Sequence, residues 1–300
     1  MYNRVVRELY REMGNAAREC YNRSMQANTR NPGTALITGA SSGIGAAYAR
    51  QLAARGYDLV LVARRLERLE SLAAELAAGY GVRAEALQAD LADPAGLQRV
   101  EARIASLGAV QESALYVGEP PLLVVNNAGF GTAGHFADIS PDRQTEMIAL
   151  HVTAPVRICR AVLPSMIALG QGAIINVASM AAFVPLPGSV IYCATKASLV
   201  SFSEALQIEL KGTGIRVQAL CPGLTRTEFH GQREMVGYAP RPVPRFLWST
   251  PESVVTASLK ALGRGGVICV PGPMNRAIVT LARLGLVSLA VRHFVPASAA

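Results

Sequence analysis

The chain is poor in charge for its length, and its net charge lies mostly near its two ends. Charged residues make up 17% and hydrophobic residues 51% of the 300 positions. The formal net charge is +8, of which residues 1–30 carry +3 and residues 264–300 carry +4. Because a nucleic-acid site needs a basic surface on the folded body, this distribution argues against a nucleic-acid partner.

The chain also lacks cysteine pairs with the spacing of zinc or redox sites. Its five cysteines are odd in number and scattered, at positions 20, 159, 193, 221 and 269. This pattern predicts no metal centre and no disulfide framework, and it fits a reducing compartment. Residues 1–30 are polar and contain no apolar core of the kind found in secretory signals. Together these absences predict a cytoplasmic protein.

A third feature that the chain lacks near its end is an apolar run long enough to span a bilayer. Residues 277–291 are apolar, but they are broken by Arg283 and fall short of the ~20 residues required. We expect the tail to bury its apolar face in the interface of a homodimer or homotetramer. The alternative is peripheral contact with an anionic membrane surface. We divide the chain into an N-terminal appendage (1–30), a catalytic domain (31–273) and an apolar C-terminal helical tail (274–300).

What the chain does have is a regular alternation of strand and helix patterns. Strand-like runs occur at 35–38, 59–63, 84–88, 122–125, 174–178, 216–220 and 267–270. Helical patterns occur between them at 43–55, 65–78, 94–107, 141–169, 192–211 and 251–263. Most of the strand runs are apolar along their length rather than alternating, as in strands that are covered on both faces. The pattern predicts an α/β fold with a single doubly wound parallel sheet of Rossmann type, and residues 224–250 are expected to form a mobile lid.

The first chemical signal is a glycine-rich turn between the first predicted strand and the first predicted helix. It reads Thr38-Gly39-Ala40-Ser41-Ser42-Gly43-Ile44-Gly45. Such a turn lets the backbone approach a pyrophosphate, and the helix that follows directs its N–H groups and positive dipole end toward the phosphates. The spacing differs from G-x-G-x-x-G, and by itself it is also compatible with an ordinary tight turn.

The end of the second predicted strand lacks the acidic residue that would bind the ribose 2′-hydroxyl of NAD. Ala63 and Arg64 stand there instead. The planar, permanently charged guanidinium of Arg64 suits a 2′-phosphate, which predicts a preference for NADP(H) over NAD(H). The alternative is a solvated basic helix start.

A second chemical signal is Tyr192 followed four residues later by Lys196 on a predicted helix, so that both share a face. A tyrosine has a pKa near 10, and a nearby ammonium lowers such a pKa by roughly 1–3 units. We therefore expect Lys196 to bring Tyr192 toward the range of general acid–base catalysis. Ser179 follows the run 174–178, where its hydroxyl can orient a substrate carbonyl or cap a helix.

Four motifs in order resemble those of the short-chain dehydrogenase/reductase family. They are Thr-Gly-x-x-x-Gly-x-Gly at 38–45, Asn-Asn-Ala-Gly at 126–129, Ser179 with Tyr-x-x-x-Lys at 192–196, and Pro-Gly at 222–223. The resemblance covers residues 34–270. It implies hydride transfer with a nicotinamide cofactor, proton exchange by Tyr192 and substrate orientation by Ser179. It further implies cofactor contacts at Gly39, Ser41, Ser42, Gly43, Ile44, Gly45, Arg64, Asp90, Leu91, Asn126, Ala128, Gly129, Tyr192, Lys196, Pro222, Gly223 and Thr225.

The chain departs from the family at one position. Where the family commonly has an asparagine that supports a water relay to the lysine, this chain has His151. An imidazole both donates and accepts hydrogen bonds, so we expect His151 to take part in the relay. The alternatives are a weakened relay or a residue that only fills the helix.

The residues expected around the substrate carry few charges, and they include Met180, Phe183, Val184, Phe229, Tyr238, Phe246 and Trp248. The sequence therefore predicts an NADP(H)-dependent oxidoreductase that interconverts a carbonyl and an alcohol on an apolar or bulky small molecule. The alternative is a nucleotide-binding scaffold or sensor that has lost turnover.

Overall fold

The computed structural model describes residues 32–108, 121–231, 244 and 247–284. The predicted N-terminal appendage, most of the predicted lid and the end of the apolar tail lie outside the described residues. The domain boundaries therefore stay a prediction.

One seven-stranded, fully parallel sheet organises the described part of the chain. Its strand order is β3-β2-β1-β4-β5-β6-β7. The strands are β1 (Thr34–Thr38), β2 (Asp58–Ala63), β3 (Ala84–Gln88), β4 (Pro121–Asn126), β5 (Gly172–Val177), β6 (Ile215–Leu220) and β7 (Ile268–Cys269). This is the doubly wound topology that the sequence predicts, and that prediction is confirmed.

Helices connect the strands and cover both faces of the sheet. They are α1 (Gly43–Ala53), α2 (Leu66–Tyr80), α3 (Pro94–Gly108), α4 (Pro141–Ile148), α5 (Ala154–Leu169), α6 (Val190–Glu209), α7 (Pro251–Leu262) and α8 (Pro273–Arg283). The predicted helix over 141–169 is continuous but contains a π-helical turn, Ala149–Thr153, with His151 inside it. By length and composition this Pro141–Leu169 stretch would suffice to cross a bilayer, yet Ile158, Val162 and Met166 on it are core residues of the protein.

The core lies in two layers because neighbouring residues of each strand point to opposite faces of the sheet. Ile37 packs in the layer that contains Tyr48 of α1, whereas the adjacent Leu36 packs in the layer that contains Ile158 of α5. Both Leu36 and Ile37 are fully buried. Burial on both faces explains why β1 and β2 are mostly apolar in sequence.

The strand order reverses direction between β1 and β4, whose registers pair Leu36 with Val124 and Ile37 with Val125. In open parallel sheets, ligands bind beyond the carboxyl ends of the strands at such a point. The loops that leave β1, β4 and β5 carry the glycine-rich turn, the 126–129 turn and Ser179. The fold therefore brings the three sequence motifs to one edge of the sheet.

Candidate active site

The glycine-rich turn is folded tightly against the loop that follows β4. Asn127 Nδ2 donates to the carbonyl oxygens of Thr38 at 2.9 Å and Gly39 at 3.2 Å. Gly39 has a φ of +66°, in the left-handed region. A Cβ on Gly45 would lie 2.3 Å from the Gly39 carbonyl oxygen. Glycine is therefore required at Gly45 for the close approach of α1 to the end of β1.

The N-terminus of α1 fits an anionic group. Ser42 is the N-cap residue, but its side chain makes no capping hydrogen bond, and the first turn of α1 contains no acidic residue. The first backbone N–H groups of a helix lack partners inside the helix and, with the helix dipole, favour an anion. The predicted phosphate-binding residues all lie in this turn: Gly39, Ser41, Ser42, Gly43, Ile44 and Gly45. The turn therefore has the donors and the open backbone that a dinucleotide pyrophosphate requires.

Of the two arginines that follow β2, Arg65 contacts the glycine-rich turn, and contact between Arg64 and a 2′-phosphate stays a prediction. Arg65 donates from Nε and Nη2 to Ser41 Oγ at 3.2 and 3.0 Å, and from Nη2 to Ser42 Oγ at 3.0 Å. Arg64 is turned toward Asp90, with Nη1 3.7 Å from Asp90 Oδ2, and is largely exposed. The two arginines are adjacent, and the direction of each side chain depends on how the backbone leaves β2, which the sequence does not show.

The predicted adenine-binding residues after β3 have structural partners of their own. Asp90 Oδ1 accepts a hydrogen bond from the backbone N–H of Ala92 at 3.0 Å. Leu91 is a buried member of the core. Contact between these two residues and a cofactor stays a prediction.

The 126–129 turn holds the sheet edge together. Asn126 Nδ2 donates to Asn176 Oδ1 at 2.9 Å, and Asn176 Nδ2 donates to Ser203 Oγ at 2.9 Å, so that β4, β5 and α6 are joined by buried polar side chains. Ala128 donates its backbone N–H to Thr38 Oγ1 at 3.0 Å. The Asn126 side-chain amide is thus engaged inside the protein, and contact between Asn126 and a cofactor stays a prediction.

The predicted catalytic residues meet at the carboxyl end of β5. Ser179 follows β5, and its Oγ accepts from the backbone N–H of Ala181 at 3.1 Å, so it caps a short 3₁₀ turn. Tyr192 and Lys196 lie on α6, with Lys196 Nζ 5.7 Å from the centre of the Tyr192 ring. Lys196 Nζ donates to the carbonyl oxygen of Val177 at 2.9 Å, which anchors the buried ammonium at the last residue of β5.

Burial reverses the expected direction of the tyrosine pKa. Burial raises the pKa of Tyr192 to about 12, although a hydrogen bond from Ser179 acts in the opposite direction. Burial lowers the pKa of Lys196 to about 8. The net shift of the Tyr192 pKa is therefore opposite to the expected one, because the cost of removing the phenolate from water exceeds the stabilisation from its polar neighbours. At neutral pH, Tyr192 carries its proton and Lys196 is largely charged.

His151 is buried, and both of its ring nitrogens are bound by the protein. The backbone N–H of Phe130 donates to His151 Nε2 at 3.1 Å. The ring proton must then be on Nδ1, which lies 3.0 Å from Thr195 Oγ1, and Thr195 donates in turn to the Tyr192 carbonyl oxygen at 3.0 Å. Neither nitrogen is left to hold a water, so the geometry contradicts the predicted relay through the imidazole.

The pKa of His151 lies well below its usual value, because the ring is buried and Lys196 is positively charged. The ring is therefore neutral, as its acceptor bond from Phe130 requires. A Cβ on Gly129 would lie 2.8 Å from Nε2, so the 126–129 turn also depends on glycine at this position. His151 joins that turn to the catalytic helix α6.

The chain that follows β6 lies over the site. Pro222 accepts a hydrogen bond from the Met180 backbone N–H at 3.0 Å, and Thr225 Oγ1 donates to the Gly223 carbonyl oxygen at 3.0 Å. The ring of Phe229 lies 5.8 Å from that of Tyr192. Of the expected pocket residues, Tyr238 and Phe246 lie outside the described residues.

Sequence reasoning missed Glu228. Its side chain binds Arg65, in the loop before α2, and Arg68, on α2. Its carboxylate accepts from Arg65 Nη1 at 2.9 Å and from Arg68 Nη1 at 2.6 Å. These two hydrogen bonds lower the pKa of Glu228. An acidic residue in a segment without periodicity gives no sequence signal for a partner 160 positions away.

Comparison with known proteins decides the family. The family model described as short chain dehydrogenase matches residues 33–235. The chain belongs to the short-chain dehydrogenase family. It is therefore an NAD(P)-dependent oxidoreductase that acts on alcohol or carbonyl groups of small molecules, as its motifs predict.

Two curated relatives of this short-chain dehydrogenase share its sequence over most of their length. Sulfoacetaldehyde reductase of Chromohalobacter salexigens is 42% identical over 199 residues, which cover 65% of this chain and 73% of the relative. Oxidoreductase UcpA of Escherichia coli is 36% identical over 230 residues, which cover 76% of this chain and 80% of the relative.

Solved structures give the same result. A short-chain dehydrogenase from Sphingobium yanoikuyae in complex with NADPH has a TM-score of 0.72 and 39% identity, and the match covers 85% of this chain and 95% of that one. The bulky-bulky ketone specific alcohol dehydrogenase from Comamonas testosteroni has a TM-score of 0.68 and 33% identity, and the match covers 88% of this chain and 99% of that one.

Proposed function

We propose that this enzyme prefers NADP(H) to NAD(H) and interconverts a carbonyl and an alcohol on an apolar or bulky small molecule. The observation that carries the cofactor preference is the position of Arg65. Its guanidinium donates to Ser41 and Ser42 of the glycine-rich turn, and the carboxyl end of β2 has no acidic residue. The NADPH complex of the Sphingobium relative supports the same cofactor.

The chain's own groups suit proton transfer to a carbonyl oxygen. When bound, the nicotinamide cofactor supplies or accepts the hydride. Tyr192 holds a proton on its phenolic oxygen at neutral pH, because its pKa is about 12. The neighbouring ammonium of Lys196 stabilises the negative charge that develops when Tyr192 gives up that proton. Ser179, hydrogen-bonded to Tyr192, orients the substrate oxygen.

Apolar side chains next to Tyr192 and in the turn after Ser179 support the proposed substrate class. Phe229 lies against the tyrosine ring, and Met180 and Phe183 belong to the turn that Ser179 begins. Apolar side chains of this size favour an apolar or bulky carbonyl compound. The ketone specificity stated for the Comamonas relative supports this proposal.

We also propose that the enzyme is cytoplasmic and works as a homodimer or homotetramer. Two exposed apolar side chains on α6 support the proposed oligomer: Val190 is 49% exposed and Ile208 is 76% exposed. Large apolar side chains in such positions fit a subunit interface.

The proposal is tested by following oxidation of NADPH and NADH with a panel of bulky ketones and small polar aldehydes. We expect turnover with the bulky ketones and a lower KM for NADPH than for NADH. Absence of turnover with every carbonyl, despite tight NADPH binding, would favour the scaffold or sensor alternative.

Two adjacent variants test the cofactor preference. Arg65→Ala should raise the KM for NADPH far more than that for NADH, because only NADPH carries the 2′-phosphate. Arg64→Ala is the matched control, and it should change the preference less. Equal losses for both cofactors in Arg65→Ala would overturn the assignment.

A further inference from the structure

Glu228 forms ion pairs with Arg65, on which the proposed cofactor preference depends, and with Arg68. Its two carboxylate oxygens bind Arg65 and Arg68, one arginine each. All three side chains are about half exposed, between 43% and 53%. Ion pairs at such exposure are weak, because water competes for both partners. Glu228 is therefore held in place by contacts that another anion can replace.

We propose that Glu228 determines cofactor specificity by competing with the 2′-phosphate for Arg65 and Arg68. This inference rests on the proposed NADP(H) preference. A phosphate dianion presents more charge and more acceptor oxygens to an arginine fork than a carboxylate does, so it displaces Glu228. NAD(H) has only a hydroxyl at the same position and leaves the two ion pairs intact. Glu228 thereby weakens the binding of NADP(H) and leaves that of NAD(H) unchanged.

The neighbours of Glu228 connect this competition to the catalytic tyrosine. Glu228 and Phe229 are consecutive in one 3₁₀ turn, Glu228–Gly231, and Phe229 lies against Tyr192. The turn is tied at its base, where Ser249 donates its backbone N–H to Leu224 at 2.9 Å and accepts from Arg226 at 3.0 Å. Release of Glu228 therefore removes its two ion pairs from the turn that carries Phe229, while the base of the turn stays attached.

The test is calorimetric titration of the free enzyme with NADP⁺, NAD⁺ and 2′,5′-ADP, which measures binding without turnover. Glu228→Gln removes the charge and keeps the shape. We expect its Kd for NADP⁺ and for 2′,5′-ADP to fall about threefold to tenfold, with the Kd for NAD⁺ unchanged. The matched control is Glu75→Gln, since Glu75 of α2 forms a similar exposed pair with Arg50 of α1. Glu75→Gln should leave the Kd values for NADP⁺, NAD⁺ and 2′,5′-ADP unchanged.

A double-mutant cycle shows whether Glu228 acts through Arg65. In an Arg65→Ala background, Glu228→Gln should have a smaller effect on NADP⁺ binding than in the parent. Unchanged or weaker NADP⁺ binding in Glu228→Gln, or an equal gain for NAD⁺, overturns the inference. If Arg65→Ala weakens NADP⁺ and NAD⁺ equally, the cofactor preference itself fails, so the two failures are distinguishable.

Discussion

His151 gives the sharpest test of how the site is held together. Its Nε2 accepts from the Phe130 backbone and its Nδ1 faces Thr195, so the ring must stay neutral to keep both bonds. The informative change is His151→Gln, because the glutamine side-chain oxygen can take the place of Nε2 as acceptor and does not titrate. His151→Asn is the companion variant, since its shorter amide can take the place of Nδ1.

The size of the effect follows from proton linkage. In the unfolded chain His151 has a pKa near 6.5, whereas burial and Lys196 hold its folded pKa well below that value. Between these two pKa values the unfolded state binds more protons, so stability falls as the pH falls. Each pH unit of this interval costs the parent about 1.36 kcal/mol of stability, and the cost is absent in His151→Gln.

Urea unfolding of both proteins at several pH values measures this difference. At about pH 7.5 the parent should be more stable than His151→Gln by about 1–2 kcal/mol, because the variant loses the bond to Thr195 and part of the ring packing. Toward pH 5 the difference should close or reverse. The same pH slope in both proteins would refute the neutral, doubly bound imidazole.

Two further predictions concern the glycine-rich turn and the tail. Gly45→Ala should destabilise the protein by about 1–3 kcal/mol and abolish cofactor binding in calorimetry, because its Cβ would clash with Gly39. The control Gly79→Ala, with no atom within 4 Å of its Cβ, should be neutral or stabilising by about 0.4–1 kcal/mol. Deletion of residues 285–300, which spares α8, should reduce the mass of the assembly measured by light scattering. The parent protein should not bind anionic vesicles. An unchanged mass with salt-sensitive binding of the parent to anionic vesicles would favour the membrane alternative.

Most of the fold could be predicted from the sequence because its signals are local. The run at 59–63 is apolar throughout and the run at 35–38 is apolar except for Thr38, because both faces of β1 and β2 are covered. The observed strands extend each prediction by one residue. The strand order follows from repeated right-handed crossovers. The motifs then fall at the carboxyl edge of the sheet because each one follows a strand.

The features that sequence reasoning missed depend on tertiary packing. The π-helical turn at Ala149–Thr153 accompanies a histidine held between Phe130 and Thr195, which are 21 and 44 residues away. The raised pKa of Tyr192 depends on how deeply α6 is buried. Arg64 and Arg65 have different contacts because their side chains point in different directions, which a sequence does not record.

The central claim is that Tyr192 donates the proton in an NADP(H)-dependent carbonyl reduction. Its most direct test is the rate of NADPH oxidation with a bulky ketone, compared between the parent, Tyr192→Phe and the distant control Tyr57→Phe. The account predicts that Tyr192→Phe loses a factor of about 10²–10⁴ in kcat, the range typical of a lost general acid. NADPH should bind to it with nearly unchanged affinity, and Tyr57→Phe should match the parent. A Tyr192→Phe enzyme that keeps about half of the parental rate or more would contradict the claim.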